Sequence, residues 1–145
     1  MFRAYTEIGG YRYYLHMIEN PKDNKPLFHK HKWPSAIYVL RGPYEMGVAY
    51  DESDMMVDKG HNLPLACKLI MNKGCAYEMT ARHGLHYVKP LSNITLSIMV
   101  TGAKYDESIK EDKGGKVLRE LTEQEFNTLM FWMDVEWPTN IVKIL

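Results

Sequence analysis

Two histidines separated by a single residue, His29-Lys30-His31, are the sharpest chemical signal in this chain. In an extended segment residues i and i+2 share a face, so both imidazoles would converge on one point while Lys30 points away. His83 and His86 lie far downstream, at the start of an apolar stretch. If an antiparallel sheet lays that stretch beside the first, three imidazoles can take one metal ion at ~2.0–2.1 Å and leave positions open for water or substrate. The chain holds six histidines, and an HxH pair equally suits surface or hydrogen-bonded imidazoles. His16 and His61 have no partner in register and read as structural or solvated.

The elements that must position these residues are mostly short strands. Residues 2–8 and 11–18 flank Gly9-Gly10, which reads as a hairpin because two glycines tolerate the positive φ of a two-residue turn. Residues 20–26 (NPKDNKP) are punctuated by Pro, Asn and Asp and read as a loop. Apolar or alternating runs follow at 35–40, 44–50, 65–71, 75–79, 85–88 and 94–100, with polar turns at 51–54 and 59–62. A series of short strands without intervening helices implies a β-sandwich or barrel.

After Thr101 the texture changes. Residues 102–116 are charged and glycine-containing, and read as an exposed loop. Thr122-Glu123-Gln124-Glu125 fits a capping box, opening a helix over about 121–134. Its apolar stripe, Phe126, Leu129, Met130 and Met133, would pack on the barrel or on a second copy. Trp137-Pro138 ends it. The 145 residues form one domain, with a barrel over about 2–101.

Composition limits the partners. Eighteen basic and 18 acidic residues give no net charge, so no broad basic face invites nucleic acid. No apolar run is long enough to span a bilayer, and the first residues carry no signal core. Cys67 and Cys75 cannot build a disulfide framework; two buried thiols in a reducing compartment are the expectation, with one bridge as the alternative. The reading is a soluble cytoplasmic protein with a small-molecule ligand.

The stretch HKHKWPSAIYVLRG, His29 to Gly42, resembles the first motif of the cupins, a histidine pair followed by an apolar strand and a glycine. LIMNKGCAYEMTARHGLHYVKPL, Leu69 to Leu91, is similar to the second motif, with Gly74 at its turn and His86-Tyr87-Val88 at its histidine strand. ITLSIMVTG, from Ile94, is similar to the closing strand. The resemblance implies an all-β double-stranded β-helix, the cupin jelly-roll barrel, with one C-terminal α-helix added. It implies His29, His31 and His86 as metal ligands, with His83 as a rival. The family's fourth ligand, a glutamate, aligns with Ser35, so the implied site is a neutral three-histidine one, resembling the thiol dioxygenases, which hold ferrous iron with three histidines and oxidise a small thiol.

Inward-facing strand positions would line the site. Trp33, Tyr38, Met46, Tyr77 and Tyr87 are candidate liners or substrate contacts, and Arg82 or Arg41 a candidate clamp for a carboxylate or phosphate. Glu78 would replace the missing carboxylate if it turned inward; Tyr77, opposite in phase, then could not. The leading expectation is a metal-dependent enzyme with one divalent ion, iron first and zinc, nickel or manganese as alternatives, performing a dioxygenase-like oxidation. The alternatives are a sugar- or nucleotide-binding module without chemistry, or an isomerase. Cupins often pair through apolar strands, so a homodimer is expected.

Overall fold

The computed structural model describes residues 2–19, 28–50, 65–105 and 121–137. The loop expected at 20–26, the turns at 51–54 and 59–62, His61, and 106–116 of the charged loop lie outside the described residues.

Nine strands and one helix are described: β1 (Phe2–Ile8), β2 (Tyr11–Ile18), β3 (His29–Lys30), β4 (Ser35–Arg41), β5 (Tyr44–Tyr50), β6 (Cys67–Met71), β7 (Ala76–Met79), β8 (Gly84–Pro90), β9 (Thr95–Thr101) and α1 (Glu123–Glu136). Runs rich in Tyr, Ile, Val and Thr form these strands because branched and aromatic side chains suit a pleated surface. β1 and β2 pair from Phe2 opposite Met17 to Ile8 opposite Tyr11. Gly9 and Gly10 close that hairpin with φ of 59° and 80°, left-handed values that a side chain would strain.

One sheet runs β1-β2-β9-β4-β7 and the other β3-β8-β5-β6, and every pairing between neighbours is antiparallel. With β1 set aside as an extra edge strand, eight strands remain. The first, eighth, third and sixth of them form one sheet, and the second, seventh, fourth and fifth the other. This interleaving of two Greek keys is the jelly roll, so the all-β expectation with a C-terminal helix holds.

Strand alternation makes two apolar layers. Between the sheets lie Val39, Tyr44, Met46 and Met71, backed by Val48, Cys75, Tyr77 and Val88, with Tyr14, Ile37 and Met99 alongside. Residues of opposite phase, Met17, Leu40 and Leu96, face outward and meet Leu129 of α1. That helix opens on the expected capping box: Glu125 N–H donates to Thr122 Oγ1, and Thr122 N–H donates to the Glu125 carboxylate.

The helix face differs from the expected stripe. Leu129 is buried and Trp132, Met133 and Leu121 are partly covered, whereas Phe126 (46% exposed) and Met130 stay exposed. The reason lies one turn further on. Glu136, its side chain only 8% exposed, accepts from Arg41 Nη1 and Lys73 Nζ, both at 2.7 Å, while Arg41 lies over the Trp132 ring at 4.4 Å. These contacts rotate Leu129, Trp132, Met133 and Glu136 onto the sheet. They also commit Arg41 to docking the helix, correcting its reading as a substrate clamp. Both cysteines are free, but Cys67 is exposed rather than buried.

Candidate metal centre

β3 lies antiparallel to β8 with His29 opposite His86 and Lys30 opposite Leu85. Directly opposed residues share a face at ~4.5–5.5 Å between Cβ atoms, so this one register brings together histidines from distant parts of the chain. His31 follows β3, its ring stacked on His29 at 5.4 Å and 18°. The His86 ring stands edge-on to both, at 4.5 Å and 4.9 Å.

Their Nε2 atoms converge. His86 Nε2 is 3.0 Å from His29 Nε2 and 3.0 Å from His31 Nε2, and the three ligand atoms all lie within 4.8 Å of one another. Three imidazole nitrogens converging in this way are a donor set that would fit a divalent metal.

Burial grades across the cluster: His29 is exposed, His31 half-buried and His86 buried. Burial, assisted by His29, lowers His31 to about 4. Burial, then His29, His31 and His16, holds His86 well below the usual imidazole range. Both rings are neutral at neutral pH, the form in which a ring nitrogen offers a lone pair. Ser35, buried at the start of β4, is not one of the converging ligands. Its Oγ lies 2.9 Å from His31 Nδ1 and donates to the Trp33 carbonyl at 3.2 Å.

A fourth imidazole accompanies the cluster. His16 shares the inward face of β2 with Tyr14, their rings stacked at 5.8 Å. It is 9% exposed, and its Nε2 is buried without a hydrogen-bond partner among the described residues. Burial first, then Arg3, His31 and His29, lowers it to about 3. Sequence reading passed over His16 because its relation to the cluster runs between sheets; its phase with Tyr14 was the available signal.

Of the expected substrate contacts, Tyr77 faces inward. Its ring lies 6.1 Å from His86 and its hydroxyl accepts from Tyr44 at 3.0 Å; burial pushes it up to about 12. Glu78, next in the strand, is exposed and supplies no carboxylate to the cluster. Tyr87 is a correction: adjacent to His86 in β8, it must face the other way. Its ring covers Gly47, where a Cβ would stand 2.0 Å from Tyr87 Cε1, and its hydroxyl donates to Glu45 at 2.8 Å.

Tyr38 is a second correction. It alternates with inward Ile37 and Val39, is 39% exposed, and meets Trp137 edge-on at 6.1 Å. Arg82 is exposed in the turn before β8. His83, an odd number of residues from His86, lies beside Tyr50 at 6.1 Å and outside the cluster. Trp33 stands beside the ligand loop under Arg12, 5.9 Å from its ring centroid, with its indole N–H buried and unpartnered among the described residues.

Fold and site together define a jelly-roll barrel carrying a three-histidine cluster. No protein-family model matches the chain, and no curated protein matches it. Among solved structures it is similar to Fe(II)-HppE with an alternative substrate, at 13% identity and a TM-score of 0.47, over 63% of this chain and 42% of that one. It is similar to hydroxypropylphosphonic acid epoxidase from S. wedmorenis in complex with fosfomycin, at 14% and 0.46, over 63% and 43%. A cupin-2 domain containing protein from Shewanella frigidimarina gives 11% and 0.46, over 70% and 80%. The chain thus spans less than half the length of the first two proteins. The fold assignment stands on the strand order itself. Among the described residues no helix is long and apolar enough to cross a membrane.

Proposed function

We propose that this protein is a metal-dependent cupin enzyme acting on a small molecule, with His29, His31 and His86 holding one divalent ion. The observation that carries the reading is the convergence of three Nε2 atoms, two pairs of them 3.0 Å apart. On the resemblance to thiol dioxygenases iron(II) comes first, with zinc, nickel and manganese as alternatives. Bound there, the ion supplies a Lewis-acid or redox centre with open coordination positions.

The protein's own residues do the rest. His86 anchors the cluster from the buried side and His29 stands at its exposed side, the direction from which a small ligand enters. Tyr77, Ile37 and Met99 form a largely apolar wall beside it, and the Tyr77 hydroxyl, already engaged by Tyr44, is held in place. A dioxygenase-like oxidation is the reaction we assign, consistent with a neutral ligand set and the resemblance to thiol dioxygenases.

Elemental analysis of the unchelated protein beside His31→Ala tests this. About one equivalent of iron, lost in the variant, with oxygen consumption on small thiols, is the expected result. Zinc, nickel or manganese instead would redirect the assays to isomerisation or hydrolysis. No metal in either protein, even after anaerobic reconstitution, would refute the reading. The absence of a carboxylate from the cluster among the described residues favours a second reading, a binding module without turnover; a tight ligand released unchanged would support it. We also propose a homodimer, on the exposed Tyr5, Ile8 and Tyr11 of the first hairpin, and sedimentation as a monomer at micromolar concentration would overturn it.

A further inference from the structure

Ser35 occupies the position where a carboxylate ligand was expected, yet it addresses a histidine and not the point where the three Nε2 atoms meet. It is 3% exposed, so its hydrogen bonds are not shared with bulk water and can be counted. A serine hydroxyl has one proton and two lone pairs. Its Oγ lies within reach of two groups: His31 Nδ1 at 2.9 Å and the Trp33 carbonyl at 3.2 Å. The carbonyl only accepts. His31 Nδ1 either accepts or donates, according to which ring nitrogen carries the imidazole proton.

Two arrangements satisfy His31 Nδ1, and only the first also gives the Trp33 carbonyl a proton. In one, the serine proton points to the Trp33 carbonyl and Oγ accepts from His31 Nδ1–H; Nε2 is then a bare lone pair facing the cluster. In the other, the serine proton points to Nδ1, the Trp33 carbonyl loses it, and His31 carries its proton on Nε2, 3.0 Å from His86 Nε2. The two states hold the same number of protons. The imidazole proton exchanges from one ring nitrogen to the other through water, and the hydroxyl rotates. A metal ion at the cluster admits only the first arrangement, since a protonated Nε2 has no lone pair to give. An aspartate or a backbone carbonyl at this place would serve only the first, and an alanine neither, leaving Nδ1 without this partner.

We propose that Ser35 is a positioning residue for His31: donating to the Trp33 carbonyl and accepting from Nδ1–H, it holds the tautomer that presents Nε2 to a metal ion. The inference rests on the metal-centre reading above. Partners behind a ligating histidine orient the ring and raise its basicity, and their loss typically weakens metal binding by ~10–100-fold.

The test combines affinity with spectroscopy. Zinc(II) and cobalt(II) affinities of wild type, Ser35→Ala and Ser35→Thr are measured by competition with a chromophoric chelator, and thermal unfolding of each metal-free protein checks the fold. Long-range 1H–15N correlation on 15N-histidine protein reads which nitrogen of His31 is protonated, with and without zinc. The expected results are a ~10–100-fold loss in Ser35→Ala, recovery to near wild type in Ser35→Thr, and a Nδ1-protonated His31 in the zinc form. A Ser35→Ala affinity within twofold of wild type overturns the inference, as does coordination of zinc through His31 Nδ1. Those results leave the metal centre standing. A wild type that binds neither ion overturns the metal centre and this inference together. If Ser35→Ala fails to fold, the threonine variant and the wild-type tautomer still decide.

Discussion

The most quantitative consequence of the site is an acid sensitivity that belongs to His16. An unperturbed imidazole titrates near 6.5, whereas burial, with Arg3, His31 and His29 adding to it, lowers His16 to about 3. The folded pKa lies below the unfolded one, so the unfolded chain takes up the proton first. Above pH 6.5 both states are neutral and His16 contributes nothing to the pH dependence. As pH falls below 6.5 the unfolded state gains a proton that the folded state refuses until about 3, and stability is lost throughout that window.

Each pH unit in the window is worth about 1.4 kcal/mol, so from 6.5 to 4.5 His16 alone removes roughly 2–3 kcal/mol. That is a large share of the ~5–15 kcal/mol that holds such a domain together. His31, lowered to about 4, adds a similar loss, and His86 shifts in the same direction. The assay is urea unfolding of chelator-treated protein at pH 7 and pH 4.5, followed by circular dichroism, for wild type and His16→Leu. Carboxylate contributions common to both proteins cancel in the difference. The wild type is expected to lose roughly 2–3 kcal/mol more than the variant between the two pH values. Equal losses in the two proteins would refute the burial of a neutral His16.

The rival histidines separate cleanly: His86→Ala should abolish metal uptake in a titration calorimeter, while His83→Ala, outside the cluster, should keep its stoichiometry. Gly47→Ala should destabilise the fold by ~1–3 kcal/mol in chemical denaturation, because its Cβ displaces the Tyr87 ring, with metal stoichiometry unchanged. Glu136→Gln should loosen the helix by about 1–2 kcal/mol, read as faster amide exchange across α1. Most of that is the Arg41 bond, since Lys73 is well exposed. Thr122→Ala should cost about 1 kcal/mol in thermal unfolding by removing the helix cap.

What the sequence determined by itself is local and periodic. The glycine hairpin, the strand runs and the capping box each arise from neighbours a few residues apart, and their ranges in the structure agree closely with the periodic pattern. The His29–His31 pair was legible for the same reason, and β-alternation already contained the answer for Tyr87, which cannot share a face with adjacent His86. His86 came from a motif resemblance and reached His29 only through the antiparallel register of β3 and β8.

Tertiary structure decided the rest, because those contacts join elements that sequence spacing does not relate. His16 nears the cluster from the other sheet, and Ser35 turns to His31 across a loop whose backbone carbonyl takes its proton. The face of α1 was set by Glu136 meeting Arg41 and Lys73, two charges from separate segments. The exposed Phe126 and Met130 and the covered Glu136 carboxylate are not what an apolar period read alone predicts. Charge pairing across the fold, invisible to a hydrophobic period, outweighed it.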